Sequence, residues 1–134
     1  MTQPVILLCG VPASGKTWVI ERLHHKYHHI MHDMNSRQYL LKKAVEASER
    51  EKPVIIDCPF DERALRAQLE DLGLTVQPVF IVETPEVIAQ RYQKRNGKPA
   101  PKNVITRAET IMNKVEEWQA HYGTSDEILK YLMI

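Results

Sequence analysis

The sequence has no long apolar run, no excess of one charge and almost no cysteine, and each shortage removes a class of protein. Its longest apolar stretch is Val5–Cys9. That is far short of the roughly 20 residues a membrane-crossing helix needs, and short too for the core of a secretory leader. No membrane partner is expected. Eighteen Lys and Arg stand against 17 Asp and Glu, a formal net charge of +1. The chain as a whole therefore lacks the electrostatic footprint of a nucleic-acid binder, and any attraction to anions has to be local. The two cysteines, Cys9 and Cys58, have neither C-x-x-C spacing nor zinc-like company. They read as small buried thiols in a reducing cytoplasm. Repeats, low-complexity tracts and linkers are missing as well. At 134 residues the chain is expected to form one domain, 1–134, with a real core and no room for the extra domains of helicases, transporters or motors. Nothing points to an obligate protein partner.

What is present is an alternation of strand and helix, the pattern of a parallel α/β sheet with helices on both faces. Val5–Cys9 is the first strand, and a helix is predicted from Gly15 to about Lys26. Tyr27–Asp33 is a candidate second strand. Asn35 or Ser36 can cap a helix to about Arg50, with Tyr39, Leu40, Ala44, Val45 and Ala47 on its buried side. Pro53–Asp57 is apolar enough for an interior strand. Asp61 caps a helix with Leu65, Leu69 and Leu72 in line, which Gly73 stops. Thr75–Val82 is a fourth strand, interrupted or edge-like at Pro78. Thr84-Pro85-Glu86 starts a helix running to about Arg95. Residues 96–102 read as a mobile loop. The last long helix presents Val104, Ile105, Ala108, Ile111, Met112, Val115 and Trp118 on one face and ends at Gly123. Ser125 or Asp126 caps a final segment, and 129–134 is either a helix end or a fifth strand.

Between the first strand and first helix lies Gly10-Val11-Pro12-Ala13-Ser14-Gly15-Lys16-Thr17, a match to G-x-x-x-x-G-K-[ST]. A phosphate-binding loop needs a strand to aim it, glycines to let the backbone close on an anion, and a helix N-terminus beyond. All three occur in order. Gly10, Ala13, Ser14, Gly15, Lys16, Thr17 and Trp18 are the expected nucleotide contacts. Lys16 would reach the β/γ-phosphates, and the Thr17 hydroxyl would hold Mg²⁺.

Other residues extend this chemistry. Asp57 ends an apolar strand, where a carboxylate can complete the metal shell. Asp33 follows the second strand, where a phosphoryl acceptor needs a carboxylate to orient and deprotonate its hydroxyl. Arg37, one helical turn on, can pair with an anionic group of the acceptor. Arg91 and Arg95 share one helix face, and no acid interrupts the basic run from Arg91 to Arg107. Such a run beside a Gly/Pro loop suits a lid, at about 91–103, that closes over a triphosphate. Two patterns are decoys. The cluster His24, His25, His28, His29 and His32 has no interleaved acid and lacks a metal-ligand pattern. Asn113-Lys114-Val115-Glu116 imitates a guanine-reading motif but lies in an amphipathic helix.

Gly10–Thr17, the Val54-Ile55-Ile56-Asp57 strand, and Gln90-Arg91-Tyr92-Gln93-Lys94-Arg95 leading through Pro101 into the last helix carry a resemblance. Over most of its length the chain resembles the kinase domain of phage-type polynucleotide 5′-kinases, and more loosely related small-molecule kinases. The resemblance implies that Lys16 and Thr17 bind ATP, that Arg91 and Arg95 grip its phosphates, and that Asp33 is the general base. The chain departs from that pattern in two places. The family's arginine three residues past the base is Ser36 here, with Arg37 next to it, and the family's larger insertion between Asp33 and Asp57 is replaced by one helix. The expected fold is a P-loop NTPase three-layer sandwich, with a parallel sheet of four or five strands in order 2-3-1-4. The expected activity is Mg²⁺-dependent transfer from ATP to a hydroxyl of a nucleic-acid 5′ end or nucleotide. The alternatives are a kinase of another small molecule (nucleoside, nucleoside monophosphate, sugar or modified base) and a nucleotide-binding regulator with little turnover.

Overall fold

The computed structural model describes residues 4–31, 37–49, 52–58, 63–118 and 120–134. Five parallel strands, β1 (Val5–Cys9), β2 (His28–Met31), β3 (Val54–Cys58), β4 (Val76–Ile81) and β5 (His121–Gly123), form one sheet. Their order is β2-β3-β1-β4-β5, the expected 2-3-1-4 with one more strand on the β4 edge. Around the sheet lie α1 (Lys16–Leu23), α2 (Arg37–Ser48), α3 (Arg63–Asp71), α4 (Pro85–Asn96), α5 (Lys102–Lys114) and α6 (Ser125–Met133).

Hydropathy explains the layering. A strand that is apolar on both faces is stable only with cover on both sides, and β1 is buried along its whole length. Its Val5, Leu7 and Cys9 pack with apolar residues of α2, α3, α4 and α5, whereas Ile6 and Leu8 pack with α1 and α6. Each fully buried Leu or Ile contributes roughly 1.5–3 kcal/mol of transfer free energy. The step from β1 to β2 crosses the α1 face. Every later step moves the other way across the sheet, over the opposite face, as right-handed crossovers demand. This reversal of direction next to β1 opens a crevice at the C-terminal ends of the strands. Strand pairing also sets Cys9 opposite Cys58. Both are buried free thiols, neighbours about 4.8 Å apart along the pairing direction.

Pro78 is accommodated for a local reason. Val5 N–H donates to Thr75 O, just before β4, so residues 77 and 79 of β4 also face β1 and residue 78 faces the other way. There β5 pairs only from Val79 onward, and the missing N–H at Pro78 breaks no ladder bond.

Several elements differ from the sequence expectation. Helix α1 stops at Leu23 rather than Lys26, and β2 begins at His28 rather than Tyr27, its expected end at Asp33 lying outside the described residues. Tyr39, Leu72 and Met112 are exposed: Tyr39 and Met112 sit at the margins of their apolar stripes, and Leu72 lies in the turn past the end of α3 at Asp71. Predicted caps at Asn35, Ser36 and Asp61 lie outside the described residues. The largest change is at the end of the last long helix. Its apolar face does continue, with Val115 buried and Trp118 packed 5.1 Å from the Phe80 ring. The backbone, however, tightens into a 3₁₀ turn at Val115–Trp118 and then becomes β5. Gly123 therefore ends a strand and not a helix, its carbonyl accepting from Val82 N–H at 2.7 Å. Residues 129–134 belong to α6 and its end, so the fifth strand exists but lies elsewhere.

Thr124, rather than Ser125 or Asp126, caps α6. Thr124 Oγ1 accepts from Glu127 N–H at 3.3 Å, and Glu127 Oε1 accepts from Thr124 N–H at 3.0 Å, a reciprocal capping box. The backbone N–H of Thr124 holds the Glu127 carboxyl below its ordinary 4.5. Thr124→Ala is expected to destabilise the fold by about 1 kcal/mol in urea unfolding. A carboxyl depressed in the folded state stabilises it fully above the ordinary value and loses that effect as pH falls through the folded value. The stability gap between wild type and Glu127→Gln should accordingly shrink on acidification.

Candidate functional site

The loop after β1 turns beneath the N-terminus of α1, and its glycines keep it close-packed, Gly15 most stringently. A side chain at Gly10 would put its Cβ 2.6 Å from Ser14 Oγ. Gly15 has φ +108° and lies so close to α6 that an added Cβ would be 2.9 Å from Ser125 Cβ. Ala13 also has positive φ, 69°, a conformation that costs a non-glycine residue about 1–2 kcal/mol. Strain of this kind is kept where the loop must present its backbone to something. Helix α1 has no side-chain cap and no acid in its first turn. Its leading amides are free of a competing carboxylate, at the end of the helix dipole that favours anions. Ser14 Oγ is buried without a hydrogen-bond partner among the described residues.

This loop forms one wall of a cavity of about 630 Å³, lined by Val11, Pro12, Ala13, Gly15, Lys16, Thr17, Trp18, Asp57, Arg91, Arg95, Ser125 and Asp126. Strand β1 delivers the loop, β3 delivers Asp57, α4 delivers both arginines and α6 delivers Ser125 and Asp126. Lys16 Nζ donates to Cys58 O at 2.7 Å, an oxygen that also accepts from Gly10 N–H at 3.3 Å. Lys16 is thereby laid across the loop toward β3. Asp57 Oδ1 accepts from His29 Nε2–H at 3.0 Å, with both side chains partly exposed. Thr17 and Asp57 put a hydroxyl and a carboxylate into the same cavity, hard oxygen donors of the type Mg²⁺ takes. The donor set fits that ion.

Arg91 and Arg95 both reach the cavity, as their i,i+4 spacing on α4 predicts. Arg91 Nη1 donates to Ser14 O at 3.1 Å, and its Nη2 pairs with Glu83 Oε2 at 3.0 Å. Trp18 is 36% exposed at the rim, with the Arg22 guanidinium 4.1 Å from its ring centre. Arg37 is elsewhere: its Nη1 donates to Gln68 Oε1 on α3 at 2.6 Å, and it does not line the cavity. Asp33 lies outside the described residues.

Four contributors escaped the sequence reading. Ser125 and Asp126 looked like caps, and the Thr124-x-x-Glu127 pattern, which identifies the true cap, would have freed them for another role. Glu83 falls between the fourth strand and the helix-start signal, and no motif marks it. His29 belonged to a cluster set aside as a decoy, and only strand pairing brings it beside Asp57.

No protein-family model matches the sequence, and no curated protein matches it as a relative. Solved structures match over nearly the whole chain. A tunicamycin resistance protein from Deinococcus radiodurans aligns with a TM-score of 0.71 at 18% identity, over 96% of this chain and 92% of that one. A gluconokinase from Sinorhizobium meliloti 1021 aligns with a TM-score of 0.62 at 21% identity, over 96% and 89%. A shikimate kinase from Acinetobacter baumannii aligns with a TM-score of 0.54 at 16% identity, over 98% and 92%. At these identities the likeness is one of fold. The chain has the fold of P-loop kinases.

Proposed function

We propose that the protein is a P-loop phosphotransferase that moves the γ-phosphoryl group of ATP to a hydroxyl of a small molecule. The observation that carries this reading is the meeting of Lys16, Thr17, Asp57, Arg91 and Arg95 in one cavity, beside the acid-free N-terminus of α1. In this reading the loop amides and Lys16 hold the β- and γ-phosphates, and the arginines stabilise charge on the transferred group. Mg²⁺, held by Thr17 and Asp57, would supply charge neutralisation on the triphosphate. Residues 91–103 act as the lid of this single domain, and Asp33 accepts the proton of the acceptor hydroxyl. Trp18 borders the nucleotide.

Support for a small acceptor comes from two directions. The structural neighbours include a gluconokinase, a shikimate kinase and a sugar kinase. Little chain is available to enclose a polymer, since only 22 residues separate β2 from β3 and α2 takes 12 of them. The polynucleotide acceptor implied by the sequence resemblance gains nothing from these neighbours, and Arg37 is engaged with Gln68. The test is a radiolabelled-ATP screen against sugars and sugar acids, nucleosides, nucleoside monophosphates, and DNA and RNA 5′ ends. Label is expected in a small hydroxyl compound. Label confined to nucleic-acid ends would restore the polynucleotide reading, and ATP binding with no acceptor at all would make the protein a nucleotide-binding regulator.

A further inference from the structure

Arg91 and Arg95 are alike in sequence but not in their surroundings. Arg91 is tied at two points, Nη1 to the Ser14 carbonyl and Nη2 to Glu83 Oε2. Glu83 sits just past β4 with its side chain only 10% exposed, and the same Oε2 accepts from Ser125 Oγ at 3.1 Å. Gly15 packs directly on this group, since a Cβ there would lie 2.9 Å from Ser125 Cβ and 3.6 Å from Arg91 Nη1. Both side chains are exposed, Arg91 at 43%, but no ion pair or hydrogen bond holds the Arg95 guanidinium among the described residues.

We infer that Glu83 is a positioning residue, which with Ser125 holds the Arg91 guanidinium against the phosphate loop before the nucleotide arrives. Arg91 then serves as a fixed donor in the wall of the site, while Arg95 is the arm that swings. This inference rests on the phosphotransferase reading and divides its lid into a static and a moving part. Physically, a mostly buried carboxylate fixes the planar fork of an arginine better than a solvated partner would. A guanidinium aimed in advance loses less entropy when charge develops on the transferred group. Glu83 also reports the state of α6, because Ser125 in the first turn of that helix shares its oxygen.

Two measurements decide the matter. In ¹⁵N-edited NMR of the nucleotide-free protein, the Arg91 guanidinium, assigned by loss of its signal in Arg91→Lys, should show restricted rotation about Nε–Cζ. Arg95 should be averaged. Glu83→Gln, which keeps shape and removes charge, should average Arg91 as well, and Ser125→Ala should do so in part. In kinetics, Glu83→Gln should lower kcat by roughly 10–100-fold and shift the KM for ATP by less than about threefold, a split that loosened packing alone would not give. In an Arg91→Ala background the same change should have no further effect on kcat. Equal averaging of Arg91 and Arg95 in the wild type, or additive losses in the double variant, would overturn the inference. If Glu83→Gln does not fold, Ser125→Ala and the wild-type spectrum still decide it. If the wild type phosphorylates no acceptor, the functional reading fails while the NMR comparison still settles how Arg91 is held.

Discussion

Lys16→Ala should lower ATP affinity by roughly 10–100-fold, the worth of a charge-assisted hydrogen bond to phosphate. It should lower turnover by about a further 10²–10³-fold, because the lost donor faces the oxygens on which charge develops. Both parameters move together, since the ammonium serves bound nucleotide and transition state alike. The fold should survive. Lys16 lies at the first position of α1, where alanine is a good helix former, and the carbonyl it contacts keeps its Gly10 N–H. Trp18 at the rim of the cavity provides the signal for a fluorescence titration, with thermal melting as the control for folding. An alanine variant that binds ATP as the wild type does would place the phosphates somewhere other than on this loop.

Asp33→Asn separates acceptor activation from nucleotide binding. A positioned general base contributes about 10²–10⁴-fold to turnover, and asparagine keeps the shape while losing the basicity. If Asp33 acts on the acceptor, ATP affinity should stay within about twofold while kcat falls by that factor. Its assignment rests on the family resemblance and on its place two residues after β2. The measurement is an initial-rate assay with the acceptor found by the screen, run beside the nucleotide titration. Near-normal turnover in Asp33→Asn would remove the central step of the proposed mechanism. A parallel loss of ATP affinity would instead move Asp33 to the nucleotide side of the site.

Much of the architecture was legible because its signals are local. Thr84-Pro85-Glu86 specifies a helix start through a side-chain oxygen, a missing N–H and a dipole-matched acid within three residues, and α4 begins there with Thr84 Oγ1 accepting from Val87 N–H. Gly97 closes the same helix in the left-handed conformation. The continuous apolar run of β1 implies cover on both faces, which the two-sided packing supplies. Where reading by periodicity failed, the competing force was long-range. Residues 104–118 keep a helical stripe, yet the chain beyond leaves it because the open edge of β4 offers backbone partners to His121–Gly123. Nothing in His-Tyr-Gly announces a strand, since three residues carry no period. The outward placement of Met112 and Tyr39 has a similar origin: a helical stripe names a face, and the neighbour decides how wide the covered part of that face is.

The candidate site divides along the same line. The glycine-bearing loop after β1, its flanking strand and helix, and the shared face of Arg91 and Arg95 could be read from the sequence alone, because spacing along a single element dictates these. Only the tertiary structure decided that Arg91 is tied to Glu83 and Ser14, that Ser125 shares that carboxylate, that His29 serves Asp57, and that Arg37 turns to Gln68. Each of these contacts joins different elements, and the partners of two are fixed by strand order. His29 meets Asp57 because β2 pairs with β3, and Ser125 meets Glu83 because β5 adds to β4 and delivers the start of α6 to the loop. Periodicity can say which way a side chain points, but the group waiting there is set by the packing of distant segments against one another.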